Sequence, residues 1–204
     1  MFTLTRWLAP ISMNYKVLLK CWTSEELSKF DAGLLSKKGA NDETTQFLSI
    51  VGLPKSAAPF LTFGHEEATL NLQSIHHVYE TDEFAHEFLL IIGSEGAGNP
   101  FCIDLMNNGQ VVVLDHEQEL ESTFVNTSVN ELFQFLSAFK EFGKEVISLN
   151  GEDAFLDSNF TDEQYERLTL QLKSIDEKAV GEGNFWFYEL ENLLANREYF
   201  LKEK

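Results

Sequence analysis

The chain has 204 residues, with 33 Asp and Glu against 15 Lys and Arg and a formal net charge of −18. Such acidity repels phosphate backbones and anionic lipid, so it excludes binding to nucleic acid or a membrane surface through bulk charge and suits a basic partner. Hydrophobic residues at 44%, including 18 Phe, supply a substantial core and exclude the composition of a disordered protein.

The N-terminus mixes Phe2, Leu4, Trp7, Leu8 and Ile11 with Arg6, Pro10, Asn14 and Lys16. It has neither the clean apolar run of a secretory signal nor a membrane span. Residues 1–13 are read as a loose extension, with Met13 an alternative start, and residues 14–204 as a single domain. Cys21 and Cys102 are the only cysteines, which fits a reducing cytoplasm.

A helix is expected from Asp42, as its cap, through Phe47, Leu48 and Ile50, ending at Gly52 with Pro54 beyond. Strand signals follow at Pro59 to Phe63 and at Leu70 to Val78. His86 to Ile92 reads as a buried central strand that ends in a glycine-rich loop. Phe101, Ile103 and Leu105 alternate with Cys102, Asp104 and Met106 ahead of Asn108-Gly109 and Val111 to Leu114, the pattern of a β-hairpin closed by a type I′ turn.

A strand at Ser122 to Val125 leads to a helix capped by Ser128, with Glu131 at capping-box spacing and Leu132, Phe135, Leu136 and Phe139 on one face. Thr161 and Gln164 repeat the box before Tyr165, Leu168, Leu172 and Ile175, and a short last helix is expected over Phe185 to Leu194. Strands gathered centrally between helical ends argue α+β, not a doubly wound sheet.

No catalytic constellation stands out. The loop from Gly93 to Gly98 has the glycines of a phosphate site, but it carries Glu95 and feeds a strand, so turns needing positive φ are its reading. His76 and His77, if on a strand, point to opposite faces, and no metal-ligand spacing accompanies them. Cys102 with His116 and Asp104 holds the ingredients of a thiol nucleophile, but Cys102 sits mid-strand as a small buried residue would. Asp104 and Asp115 form a conceivable acid and base pair, although carboxylates so spaced are usually structural or solvated. No cofactor or metal is expected.

The charge is unevenly spread. No Lys or Arg lies between Lys55 and Lys140, where thirteen acids run from Glu66 to Glu131. Solubility is the ordinary explanation of a charge run, but eighty-four base-free residues weaken it. Glu95, Asp115, Glu117, Glu119 and Glu121 are the candidate contacts for a basic partner. Were Glu117 to Glu121 extended, its three glutamates would share one face; a solvated loop is the alternative.

The ordered series Gly52-Leu53-Pro54, Leu90-Ile91-Ile92-Gly93, Gly98-Asn99-Pro100-Phe101-Cys102-Ile103-Asp104, Asn108-Gly109, Val112-Val113-Leu114-Asp115-His116 and Phe124-Val125-Asn126-Thr127-Ser128 with Phe135-Leu136 resembles the SUKH superfamily of Smi/Knr-like immunity proteins. Trp186 and the closing Tyr199-Phe200-Leu201 make it most similar to the fourth SUKH group. The resemblance spans Trp22 to Leu201; the N-terminal extension and residues 143–161 depart from the family's pattern. It implies an α+β domain whose mixed, largely antiparallel sheet is packed against helices, in a non-enzymatic cytoplasmic bacterial protein that binds and neutralises a cognate toxin, often a nuclease, of a polymorphic or contact-dependent system. Gly52, Pro54, Gly93, Gly98, Asp104, Gly109, Asp115, Asn126, Ser128 and Trp186 match recurrent positions. Most of them are fold-makers, with glycines in turns and Asn126 and Ser128 capping at the strand-to-helix junction. A regulatory adaptor of the same fold and a hydrolase using Cys102 or the Asp104 and Asp115 carboxylates are the rival readings.

Overall fold

The computed structural model describes residues 19–65 and 71–202. The extension at residues 1–13, the start at Met13, and Glu66, Glu67 and Leu70 lie outside them. Among the described residues there are eight strands: β1 (Leu27–Ser28), β2 (Leu53–Pro54), β3 (Ser56–Ala57), β4 (Leu61–Phe63), β5 (Leu89–Ser94), β6 (Pro100–Asp104), β7 (Gln110–Asp115) and β8 (Glu121–Asn126). The helices are α1 (Ala32–Lys38), α2 (Asp42–Ile50), α3 (Ile75–Tyr79), α4 (Val129–Asn150), α5 (Asp162–Ile175) and α6 (Phe185–Lys202). Strands β3 to β8 form one sheet in sequential order, and β1 pairs with β2. The fold is therefore α+β, and every strand pairing among the described residues is antiparallel.

The β6–β7 hairpin is buried on both faces because its side chains alternate between two apolar clusters. Phe101, Ile103, Val111 and Val113 face the main core, shared with Leu132, Phe133, Phe135 and Phe139 of α4. Cys102, Val112 and Leu114 face a smaller cluster with Ile75 and Leu89. Asn108 (φ 57°) and Gly109 (φ 81°) both take the positive values expected of them, and Gln110 N–H closes the turn on the Asn107 carbonyl at 3.1 Å. The ladder, however, stops at Asp104 opposite Gln110, so the connection is five residues long (105–109), not two. The Asp104 carboxylate holds it, accepting from Met106 N at 2.9 Å, Asn107 N at 3.1 Å and Asn107 Nδ2 at 2.7 Å.

Several boundaries differ from expectation. Asn41, not Asp42, caps α2, accepting from Thr44 N at 2.8 Å, while its Nδ2 donates to the Asn108 carbonyl at 2.7 Å and so ties the helix to the hairpin loop. Residues Leu72 to Ser74 run beside β5, but Ile75–Tyr79 is a helix, not a strand. Only Ile75 of that segment is fully buried, so the sheet gives its β-branched residues no second face to fill, and His76 and His77 sit on a helix. Phe84–Phe88 is a 3₁₀ turn, which delays β5 to Leu89.

Ser128 caps α4 by accepting from Asn130 N at 3.1 Å, and its hydroxyl donates to Glu131; of the two expected boxes, the one at Thr161 and Gln164 is reciprocal. Helix α6 runs beyond Leu194 to Lys202. Nothing after Leu194 breaks a helix, and Arg197 fastens the extra turns to the start of α5 through Asp162 at 2.7 Å and to the Phe160 ring at 5.0 Å.

Asn126 does not cap α4. It is fully buried, and its Oδ1 accepts the Trp186 indole N–H at 2.9 Å. Replacing Asn126 by Ala leaves that donor orphaned and should cost about 2 kcal/mol or more in denaturant melts. Gly109→Val should be at least as harmful. Its Cβ would stand 2.7 Å from Thr44 Oγ1, and a β-branched residue at this φ adds about 1–3 kcal/mol of strain; unchanged melting would refute the turn's role.

Candidate docking surface

Antiparallel strands of similar length put alternate connections at the same end of a sheet. The turns β3–β4 (58–60), β5–β6 (95–99) and β7–β8 (116–120) therefore meet at one rim, and with them come all five candidate acids. Asn99 Oδ1 joins two of the turns, accepting His116 N–H at 2.9 Å and lying 2.6 Å from His116 Nδ1. Gly96 brings the third close, since a methyl group there would stand 3.2 Å from Phe60 Cβ.

The acids play unequal parts. Glu95 accepts from Ala97 N at 2.9 Å and Asn99 N at 3.2 Å, and Asp115 accepts from Glu117 N at 2.9 Å, so both organise their own turns. Glu117, Glu119 and Glu121 are exposed. They do not form one extended face, because residues 116–120 are a turn in which Glu119 (φ 52°) and Leu120 (φ 62°) are left-handed, and only Glu121 lies on a strand. Among the described residues none of the five forms an ion pair.

Two hollows adjoin the rim. One, of about 590 Å³, crosses the less covered sheet face, with Glu83, Glu119 and Glu121 at its edge and Leu89, Val112 and Leu114 among its lining. The other, of about 660 Å³, opens between the β3–β4 turn, the β5–β6 turn and α6, lined by Pro59, Phe60, Phe155, Leu156 and Leu193. Phe60 is 82% exposed and left-handed at φ 69°. Glu95 and Glu189 both line this cleft. Burial, and then the charge of Glu95, push the Glu189 carboxyl up to about 7. Glu189 and Phe60 were not legible as site residues: lone Glu and Phe carry no motif, and only the packing of α6 on the sheet brings Glu189 beside Glu95.

The rival chemistry finds little support in the geometry. Cys102 is fully buried, and burial, with the nearby charge of Asp104, holds its thiol well above the ordinary range, against what a nucleophile needs. The His116 ring is held by Asn99, and Asp104 is spent on its loop. No cluster of three or more His, Cys, Asp or Glu among the described residues could hold a metal ion, and none of the described helices is long and apolar enough to cross a membrane.

A family model, the SUKH-4 immunity protein, matches residues 16–192. The chain belongs to the SUKH-4 immunity protein family. The match takes in the whole sheet, the first eight residues of α6 and residues 143–161, where Phe155 and Phe160 pack edge-on against Phe142 of α4 at 6.1 and 5.4 Å. No curated protein and no solved structure matches the chain. Membership makes it an immunity protein, whose role is to bind a cognate toxin.

The cleft yields a pH prediction for this immunity protein. A carboxyl raised from 4.5 to about 7 binds protons more tightly in the folded state, so its contribution to stability is lost as pH rises through that window. Glu189→Gln should therefore melt higher than wild type at pH 8 and equally at pH 4, and Glu95→Gln should lower the Glu189 midpoint in an NMR titration.

Proposed function

We propose that this immunity protein neutralises a basic toxin domain of a bacterial polymorphic or contact-dependent system by association and not catalysis, in the cytoplasm of the producing cell, with the acidic turn end of its sheet as the docking surface. The observation that carries this reading is the convergence at one rim of Glu95, Asp115, Glu117, Glu119 and Glu121 with no Lys or Arg paired to them among the described residues. Nuclease substrate grooves present Lys and Arg to phosphate, and carboxylates substitute for it, bidentate Arg pairing being the strongest such contact. The large exposed Phe60 beside the acids supplies the aromatic anchor such interfaces favour.

The test pairs the protein with its cognate toxin domain, sought in the neighbouring gene. Changing Glu117, Glu119 and Glu121 together to Gln should abolish growth rescue and weaken calorimetric affinity by at least about 2–5 kcal/mol, the usual cost of breaking one buried interfacial charge pair, while thermal melts stay unchanged. In stopped flow the wild-type association rate should fall steeply with added salt, as electrostatic steering requires. Wild-type affinity in the triple variant, or a flat salt dependence, would place the docking surface elsewhere.

A further inference from the structure

We propose that the cleft between the β3–β4 turn and α6 is the specificity pocket of the docking surface and receives one arginine or lysine side chain of the partner protein, its cation against Glu95 and Glu189. This rests on the docking reading above. The cleft is mostly apolar, with Ala58, Pro59, Phe60, Phe155, Leu156 and Leu193 among its walls, and about 660 Å³ accommodates a long side chain together with part of its flanking backbone. Its charged groups are the two glutamates, and neither is ion-paired with any described residue.

The charge balance selects the occupant. An acidic group is repelled, and a purely apolar segment strips water from two carboxylates without replacing it. A cation on an aliphatic stem satisfies both parts, with its methylenes along the apolar walls and its donors on the carboxylates. Phe60 and Leu156, 82% and 75% exposed, stand among the lining residues, where an incoming side chain covers them and the Phe60 ring can take a cation on its face. Glu189, being drawn toward neutrality by burial and by Glu95, gains most from such a neighbour, which restores its ionised form.

The pocket is testable without the toxin. The full chain is titrated with acetyl-Leu-Arg-amide, and with the citrulline analogue as an uncharged isostere, while the side-chain carboxyl resonances of Glu95 and Glu189 are followed by NMR. The arginine peptide should shift both resonances saturably at millimolar concentration. Citrulline, or the arginine peptide with Glu189→Gln, should bind roughly tenfold more weakly or not at all. The Glu117, Glu119 and Glu121 triple Gln variant should bind the peptide as wild type does. Equal binding of citrulline, linear shifts, or equal shifts at Glu117 and Glu119 would overturn the pocket. So would a concentration-dependent dimer dissolved by Phe60→Ser in sedimentation, which would assign the cleft to a second copy of the chain. Peptide binding that survives while the triple variant keeps wild-type toxin affinity would instead overturn docking at the rim, so the two failures are distinct.

Discussion

The architecture depends on one buried polar junction. Trp186 is fully buried among Phe135, Phe139 and Phe185, with ring centroids at 5.0–5.3 Å, and its indole N–H has no route to water. Asn126, the last residue of the sheet, accepts it. The Asp176 carboxylate at the end of α5 accepts in turn from Asn126 Nδ2 at 3.4 Å, Thr127 N at 2.8 Å and Thr127 Oγ1 at 3.2 Å. Sheet, α4, α5 and α6 are therefore locked at one point, where an unmade bond costs more than a made one gains. Because this junction sets where α6 lies, it also sets where Glu189 and Leu193 meet the sheet end.

Charge is separated by the same layering. The Lys and Arg side chains that form ion pairs belong to the helices, where Lys140 pairs with Glu26 at 2.5 Å, Arg167 bridges Glu145 and Glu163, and Arg197 holds Asp162. Lys140 holds the Glu26 carboxyl down at about 2. Among the described residues the acids of the base-free sheet have no Lys or Arg partner. Such one-signed surface opposes compact folding through self-repulsion, which the basic partner proposed above would relieve.

Local rules were legible where a short segment carries its own physics. Asn108-Gly109 demands positive φ, Thr161 and Gln164 satisfy each other's backbone amides, and the period of Leu132, Phe135, Leu136 and Phe139 turns one face of α4 inward. They failed where neighbours decide. Ile75–Tyr79 looks like strand by composition but is left without a second apolar layer. Asn126 looks like a cap, but a buried indole on α6 needs its oxygen more. Glu117 to Glu121 alternates in charge without the apolar alternation that would hold it in a ladder, so it turns.

The sequence by itself determined the α+β class, the hairpin's turn, the main helices, the acidity of the central segment and the family. These follow from local backbone preference, hydrophobic period and the order of motifs, none of which needs distant contacts. Only the tertiary structure decided that Glu95 of one turn lies in a cleft with Glu189 of the last helix, that Phe60 stands exposed among its lining, and that five dispersed acids share one rim. Each of those depends on the pairing order of the strands and on the docking of α6, and side chains far apart in the chain have no local signal that announces their meeting.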